Sequence, residues 1–203
     1  IDNEEKAYWL GFIAADGCIL ENGTLKISLA EKDSTHLEKF NKSIESNRPI
    51  LFEKGTYIYK DGKTRKNPLV LYHGKTLAKD LEKYNIVPRK SFSFEPTLEL
   101  INPNLHKHYI RGYFDGDGWI SIGKNTKEVG FAGTENTCNV FSTHLIENCT
   151  IRNSSVTRLR NIYRFRVNNL DSITSILEYL YGDATVYLNR KYNLFKKICR
   201  CEK

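Results

Sequence analysis

The chain is 203 residues long and carries 31 Lys and Arg against 24 Asp and Glu, a formal charge of +7. That length buries about 70% of the unfolded surface, enough for one substantial domain or two small units sharing a core, and the charge favours an anionic partner. No apolar run approaches the roughly 20 residues needed to cross a bilayer, and no basic segment with an apolar stretch and cleavage site opens the chain, so the expectation is a soluble, intracellular protein with no membrane partner.

Five cysteines, Cys18, Cys138, Cys149, Cys199 and Cys201, form neither an even set nor paired C-x-x-C clusters with histidines nearby, which speaks for reduced thiols and against structural zinc. There is no methionine, and with Ile1 at the first position the expectation is a processed, excised or trimmed product.

Near the start, Asn3 is placed to cap a helix in which Tyr8, Phe12 and Ala15 recur at helical spacing and Gly17 is the stop. Residues 24–29, TLKISL, alternate polar and apolar as a half-buried strand does. Asp33 is expected to cap a second helix with Leu37, Phe40 and Ile44 on its inner face. Two strands near 56–60 and 68–73 and a helix near 75–84 complete a first unit. The segment 92–106, with Pro96, Asn102, Pro103 and Asn104, reads as a linker. The order then recurs: Thr134 stands 101 positions after Asp33, followed by Cys138, Phe141 and Leu145, strands near 155–160 and 162–167, and a helix near 170–181. At Leu81 and Leu177 the offset falls to 96, a shorter hairpin, and it returns to 101 at the Arg-Lys pairs 89–90 and 190–191. The reading is an α+β protein of two repeats, 1–91 and 107–203, each helix, two strands, helix, two strands, helix.

The most informative duplication is a helix ending: WLGFIAADG over 9–17 and IRGYFDGDG over 110–118. Each copy has small residues four apart, Gly11 with Ala15 and Gly112 with Gly116, a narrow stripe along which two helices can approach closely. Each then delivers an aspartate, Asp16 or Asp117, to the helix C-terminus, where the macrodipole disfavours a carboxylate by a few tenths of a kcal/mol or more. If the stripes pack together, the two carboxylates arrive side by side and ask for a divalent cation. The residues speak against a calcium loop starting at Asp115, because Trp119 and Thr126 stand where it needs an oxygen ligand and a glutamate.

These motifs resemble the signature of the LAGLIDADG homing endonucleases, and the resemblance covers nearly the whole chain. Gly11 and Gly112 match the family glycine, Asp16 and Asp117 its metal-binding aspartates, and Gly17 and Gly118 its final glycine. The first copy departs from the signature at Ala14, where the second keeps an acid, Asp115. The resemblance implies curved antiparallel sheets forming a saddle over duplex DNA. It also implies Mg2+, with Mn2+ able to substitute, held by Asp16, Asp117 and the backbone carbonyls of Ala15 and Gly116. Lys90 and Lys191, at equal distances behind their aspartates, are the candidates to polarise water or stabilise the phosphate in the transition state. Glu31, with Ala132 as its counterpart, falls where family members place a solvent-organising polar residue.

For DNA contact the candidates are Lys26, Ser28, Tyr57, Tyr59, Lys63 and Arg65 in the first repeat, and Lys127, Arg158, Arg160, Arg164 and Arg166 in the second. Lys26 and Lys127 are taken as equivalent, and strand alternation is taken to put all four arginines on one sheet face. The reading is a monomeric, magnesium-dependent, site-specific double-strand DNA endonuclease of the homing type, acting on a long asymmetric duplex. The alternatives are a cleavage-deficient RNA splicing cofactor, with intron RNA as partner, a DNA-binding regulator, and a purely structural protein.

Overall fold

The computed structural model describes residues 1–52, 57–58, 64–65, 69–123 and 126–200. Helix α1 (Glu4–Asp16) starts at Asn3, whose side chain accepts a hydrogen bond from the Lys6 amide at 2.9 Å. It runs into β1 (Gly17–Ile19) and β2 (Leu25–Leu29), then α2 (Ser34–Ser43), β3 (Leu51–Phe52), β4 (Tyr57–Ile58), β5 (Thr64–Arg65), β6 (Leu69–His73) and α3 (Lys75–Glu82). The second half repeats the order with α4 (His106–Asp117), β7 (Gly118–Ile122), β8 (Lys127–Gly133), α5 (Glu135–Asn148), β9 (Ser155–Leu159), β10 (Ile162–Val167) and α6 (Leu170–Tyr181), and adds α7 (Asn189–Arg200). Two antiparallel four-stranded sheets result, ordered β1-β2-β6-β3 and β7-β8-β10-β9. No helix among the described residues is long and apolar enough to cross a membrane.

The motif helices α1 and α4 form the centre. Every residue from Ala7 to Ala14 is buried, so α1 is not a one-faced surface helix but is covered on all sides. The small-residue stripes make this possible. A Cβ on Gly11 would overlap the Tyr109 carbonyl oxygen, and one on Gly112 would overlap that of Tyr8, so the two backbones touch there in a nearly two-fold manner. Around this pair the inward strand residues Leu25, Ile27, Leu71, Val129, Phe131, Phe165 and Val167 pack against Leu37, Phe40, Phe141 and Leu145 of α2 and α5 in one continuous core.

Four local expectations are corrected. Asp33 does not cap α2 with its side chain; its buried carboxylate accepts from Arg190 Nε at 2.9 Å, tying the first repeat to α7. Ile44 lies just past the end of α2 and is 36% exposed rather than on an inner face. In the first sheet the strand beside β6 at the edge opposite β1 is β3, while β4 and β5 form a ribbon of their own. The last helix, α7, was not expected from the pattern; Tyr192, Phe195, Ile198 and Cys199 pack against the core. Thr134, by contrast, caps α5 as expected, accepting from the Thr137 amide at 3.1 Å.

Candidate active site

Both motif helices end on their aspartates with no basic residue in the last turn, and both pass straight into an extended glycine. Gly17 and Gly118 have negative φ, so their role is space: a Cβ on Gly17 would lie 2.6 Å from the Ile13 carbonyl oxygen, and one on Gly118 would meet that of Phe114. The close packing of Gly116 against Ala15 brings Asp16 and Asp117 to the same end of the helix pair. Burial, with the neighbouring Asp117 charge, pushes the Asp16 carboxyl up to about 7. Burial also raises Asp117, against the lowering influence of Lys90 and Lys191. The two acids are coupled and desolvated, and the cations of the site only partly compensate them.

The two lysines stand behind these acids in unlike ways. Lys191, on α7, is 1% exposed and donates to the carbonyl oxygens of Phe114, Asp115 (2.9 Å) and Gly118 (2.6 Å), where α4 ends and β7 begins. Burial lowers its ammonium to about 8, so it remains charged at neutral pH. Lys90, in a short turn after Arg89 (φ 60°), donates among the described residues only to the Ala15 carbonyl, at 3.4 Å. It borders a cavity of about 240 Å³ shared with Ser91, Tyr113 and Asp117. The charge on Asp117 is the strongest favourable influence on Lys90.

One arrangement was not legible in the sequence. Asp115, 1% exposed, accepts from the hydroxyls of Tyr8 (2.7 Å) and Tyr181 (2.5 Å) and from the Leu188 amide (2.7 Å). Tyr8 in turn contacts His36 Nε2 at 2.9 Å. This carboxylate is a structural hub joining both repeats, and its counterpart, Ala14, offers nothing equivalent; the hydroxyl of Tyr109, which occupies the repeat position of Tyr8, has no hydrogen-bond partner among the described residues. The only sequence signal was the signature acid itself, which says nothing of its partners.

The other face of each sheet points away from the helices. In the first sheet it carries Cys18, Lys26 and Tyr72 as one cross-strand row and Ser28 with Val70 as the next. In the second it carries Trp119, Gly130 and Arg166 as one row and Ala132, Arg164 and Thr157 as the next. The Arg164 guanidinium lies over the Trp119 ring at 5.6 Å, Trp119 Nε1 donates to Glu128 at 2.7 Å, and Arg166 stands 3.6 Å from the other Glu128 oxygen.

Several sequence-derived placements change. Arg158 is the cross-strand partner of Tyr163, and so lies on the opposite face to Arg164 and Arg166, while Arg160 sits in the turn with φ 56°. Leu159, not Arg158, shares the arginine face. Lys127 pairs with Ile122 on the parity of Val129, the inward one, so the position matching Lys26 is Gly130. Glu31 lies in a 3-10 turn, Glu31–Asp33, and Ala132 matches Ser28 instead. Tyr57 and Arg65 are backbone partners in the β4–β5 ribbon. Tyr59 and Lys63 lie outside the described residues.

A divalent cation fits the chemistry of the aspartate end. Hard oxygen donors converge there, and burial raises both carboxyls, Asp16 further through the Asp117 charge, with Lys90 and Lys191 only partly opposing it. Among the described residues no group of three or more His, Cys, Asp or Glu side chains gathers, so such a cation would take its remaining ligands from backbone carbonyls, water and substrate.

No protein-family model and no curated protein sequence matches the chain. Solved structures do match. The N-terminal LAGLIDADG domain of DUF199/WhiA is 18% identical, over 94% of this chain and 86% of that one, with a TM-score of 0.59. The homing endonuclease I-WcaI bound to its DNA recognition sequence is 15% identical over 97% and 85%, with a TM-score of 0.62. I-SmaMI bound to an uncleaved DNA target in the presence of calcium ions is 12% identical over 98% and 90%, with a TM-score of 0.63. At such identities the likeness is one of fold, and the chain is a LAGLIDADG-fold protein.

Proposed function

We propose that this protein is a monomeric, site-specific DNA endonuclease that uses Mg2+, with Mn2+ as a substitute, to cut both strands of a long asymmetric duplex. The observation that carries this reading is the pair of desolvated aspartates, one from each repeat, at the joined ends of α1 and α4. A protein that only bound nucleic acid would gain nothing from buried carboxylates placed toward phosphates. Two of them, each at the unfavourable end of a helix, cost stability unless a cation is their purpose.

In this reading Asp16 and Asp117, with the carbonyls of Ala15 and Gly116, hold the metal, which when bound supplies an activated water and neutralises charge on the phosphate. Lys90 directs its ammonium toward the Asp117 side of the site. Lys26, Ser28, Arg164 and Arg166, on the outward sheet faces, hold the duplex in register over the aspartates. The DNA-bound nucleases among the structural neighbours support a DNA partner for this fold.

The test is incubation with a randomised duplex library in Mg2+, in Ca2+ and in chelator. Double-strand cutting that needs Mg2+ and disappears in Asp16→Asn supports the nuclease reading. Sequence-specific binding without cutting in any cation would make the chain a DNA-binding regulator, and preferential retention of structured RNA would make it a splicing cofactor.

A further inference from the structure

An ammonium has three N–H bonds to donate. Lys191 donates all of them to the end of α4, to the carbonyls of Phe114, Asp115 and Gly118, and none remains for a water or a phosphate. Lys90 spends one on a long 3.4 Å contact and faces a cavity of about 240 Å³ with Asp117 on its wall. The carbonyls that hold Lys191 all lie at the end of α4, so this lysine is spent there and reaches Asp16 only as a nearby charge, whereas Lys90 and Asp117 line one cavity. The inequality has a cause in the sequence. Asp115 draws Tyr8, Tyr181 and the Leu188 amide together just ahead of α7, fixing the segment that carries Lys191, whereas the matching Ala14 lines the cavity beside Lys90 and fixes nothing.

The geometry points to two unequal half-sites, in which the one formed by Lys90 and Asp117 cuts its strand first and the one around Asp16, whose nearby Lys191 has no N–H left to donate, follows, with nicked duplex as the intermediate. This inference rests on the nuclease reading. In each cut one water adds across one P–O bond: its oxygen ends on phosphorus, one proton goes to the departing ribose oxygen and the other to solvent. The Lys90 ammonium, with free N–H bonds, stabilises the charge that builds on the phosphate oxygens and is not consumed. Lys191 fixes the end of α4, the helix that carries Asp117, and is a positioning residue.

Two measurements test this on the wild-type protein. Reductive methylation of the folded protein without DNA or metal, followed by peptide mass spectrometry, should modify Lys90 well before Lys191; equal rates overturn the assignment. A supercoiled plasmid carrying a target selected from the randomised library should pass through an open-circular form in Mg2+ before it becomes linear. Lys90→Met should slow the first cut by at least about tenfold, as loss of a transition-state donor does, while leaving the thermal midpoint of the metal-free protein near that of wild type. Both strands cut at one rate with no nicked form, or a first cut indifferent to Lys90→Met, overturns the inference and leaves the nuclease reading intact. A bound plasmid that stays supercoiled in Mg2+ overturns the nuclease reading and the inference with it.

Discussion

The β1–β2 hairpin of the first repeat and the β7–β8 hairpin of the second leave the same kind of helix and return to the same kind of helix, but in different registers. Gly17 faces Ile27 in one, and Gly118 faces Phe131 in the other, so the second hairpin is three residues longer. The first repeat takes up the difference in its 3-10 turn, Glu31–Asp33, before α2, where the second runs from β8 through Thr134 into α5. What is kept between the repeats is therefore the helix pair and its aspartates; what is free to vary is the strand surface between them. Under the proposed function, the shared elements fix where chemistry can happen, and the unshared ones decide what is read.

The sharpest test of the shared part is chemical. Asp16→Asn and Asp117→Asn should each reduce cleavage by on the order of a thousandfold or more, since under the proposed function each removes a metal ligand and a metal supplies several kcal/mol of transition-state stabilisation. Affinity for the duplex should be unchanged or higher, because a negative charge beside phosphate has gone. Cleavage and binding are measured separately at fixed salt. Undiminished cutting by the double variant would show that the repeats share a fold and not a reaction.

Next in size is the packing that brings the acids together. Gly11→Ala and Gly112→Ala each place a methyl into the opposite backbone carbonyl, so both should destabilise the fold, by about 3 kcal/mol, and by similar amounts. Chemical denaturation gives both values. A large cost at one glycine and none at the other would break the equivalence of the motif helices.

This pair of helices was legible because its information is local. Small residues four apart, an acid and a glycine fall within nine positions and occur twice. The caps at Asn3 and Thr134 were legible for the same reason. The strand surface was not. The longer hairpin and the extra 3-10 turn cancel in length, so a constant offset of 101 at Asp33 and Thr134 conceals the shift between them, and Lys127 is matched with Lys26 by count but not by register. Arg158 was misplaced because alternation was carried through the β9–β10 turn, where Leu159 pairs with Ile162 and the parity reverses. Lys191 looked like Lys90 because nothing near it in the sequence announces the three carbonyls it caps, all more than seventy residues away.

The acids also differ in how they respond to pH. Asp16 titrates near 7 in the folded chain and near 3.8 when unfolded, so the folded state holds a proton that the unfolded state releases between those values. The stability this proton contributes is fully present below about pH 4 and is lost as pH rises through about 7. Asparagine does not titrate. In chelator, Asp16→Asn should therefore gain thermal stability over wild type as pH goes from 5 to 8, and scanning calorimetry at both values reads it. A difference that stays constant between the two would mean that Asp16 is not desolvated as its surroundings require.

The smallest effect concerns the unshared surface. Register places Val70 and Tyr72 where the second repeat has Arg164 and Arg166. A guanidinium can bond guanine through two acceptors in the major groove, whereas valine offers no hydrogen bond and tyrosine only one. Two arginines, rather than four, thus share the face that meets DNA in the proposed complex, one steadied by the Trp119 ring and the other held by Glu128. The preferred target should be non-palindromic, with its most stringent guanines in the half under the second repeat. Replacing one such guanine should cost about 1–3 kcal/mol, and Arg166→Ala should relax one position, while an arginine that only holds phosphate would weaken all sequences alike. Glu128→Gln should strengthen binding to matched and mismatched duplexes together, since it frees Arg166 and removes a negative charge from the face. Selection from a randomised library, repeated with each variant, measures all of this. A palindromic preferred site, or stringency confined to the half under the first repeat, would mean that the register difference between the two sheets does not govern what is read.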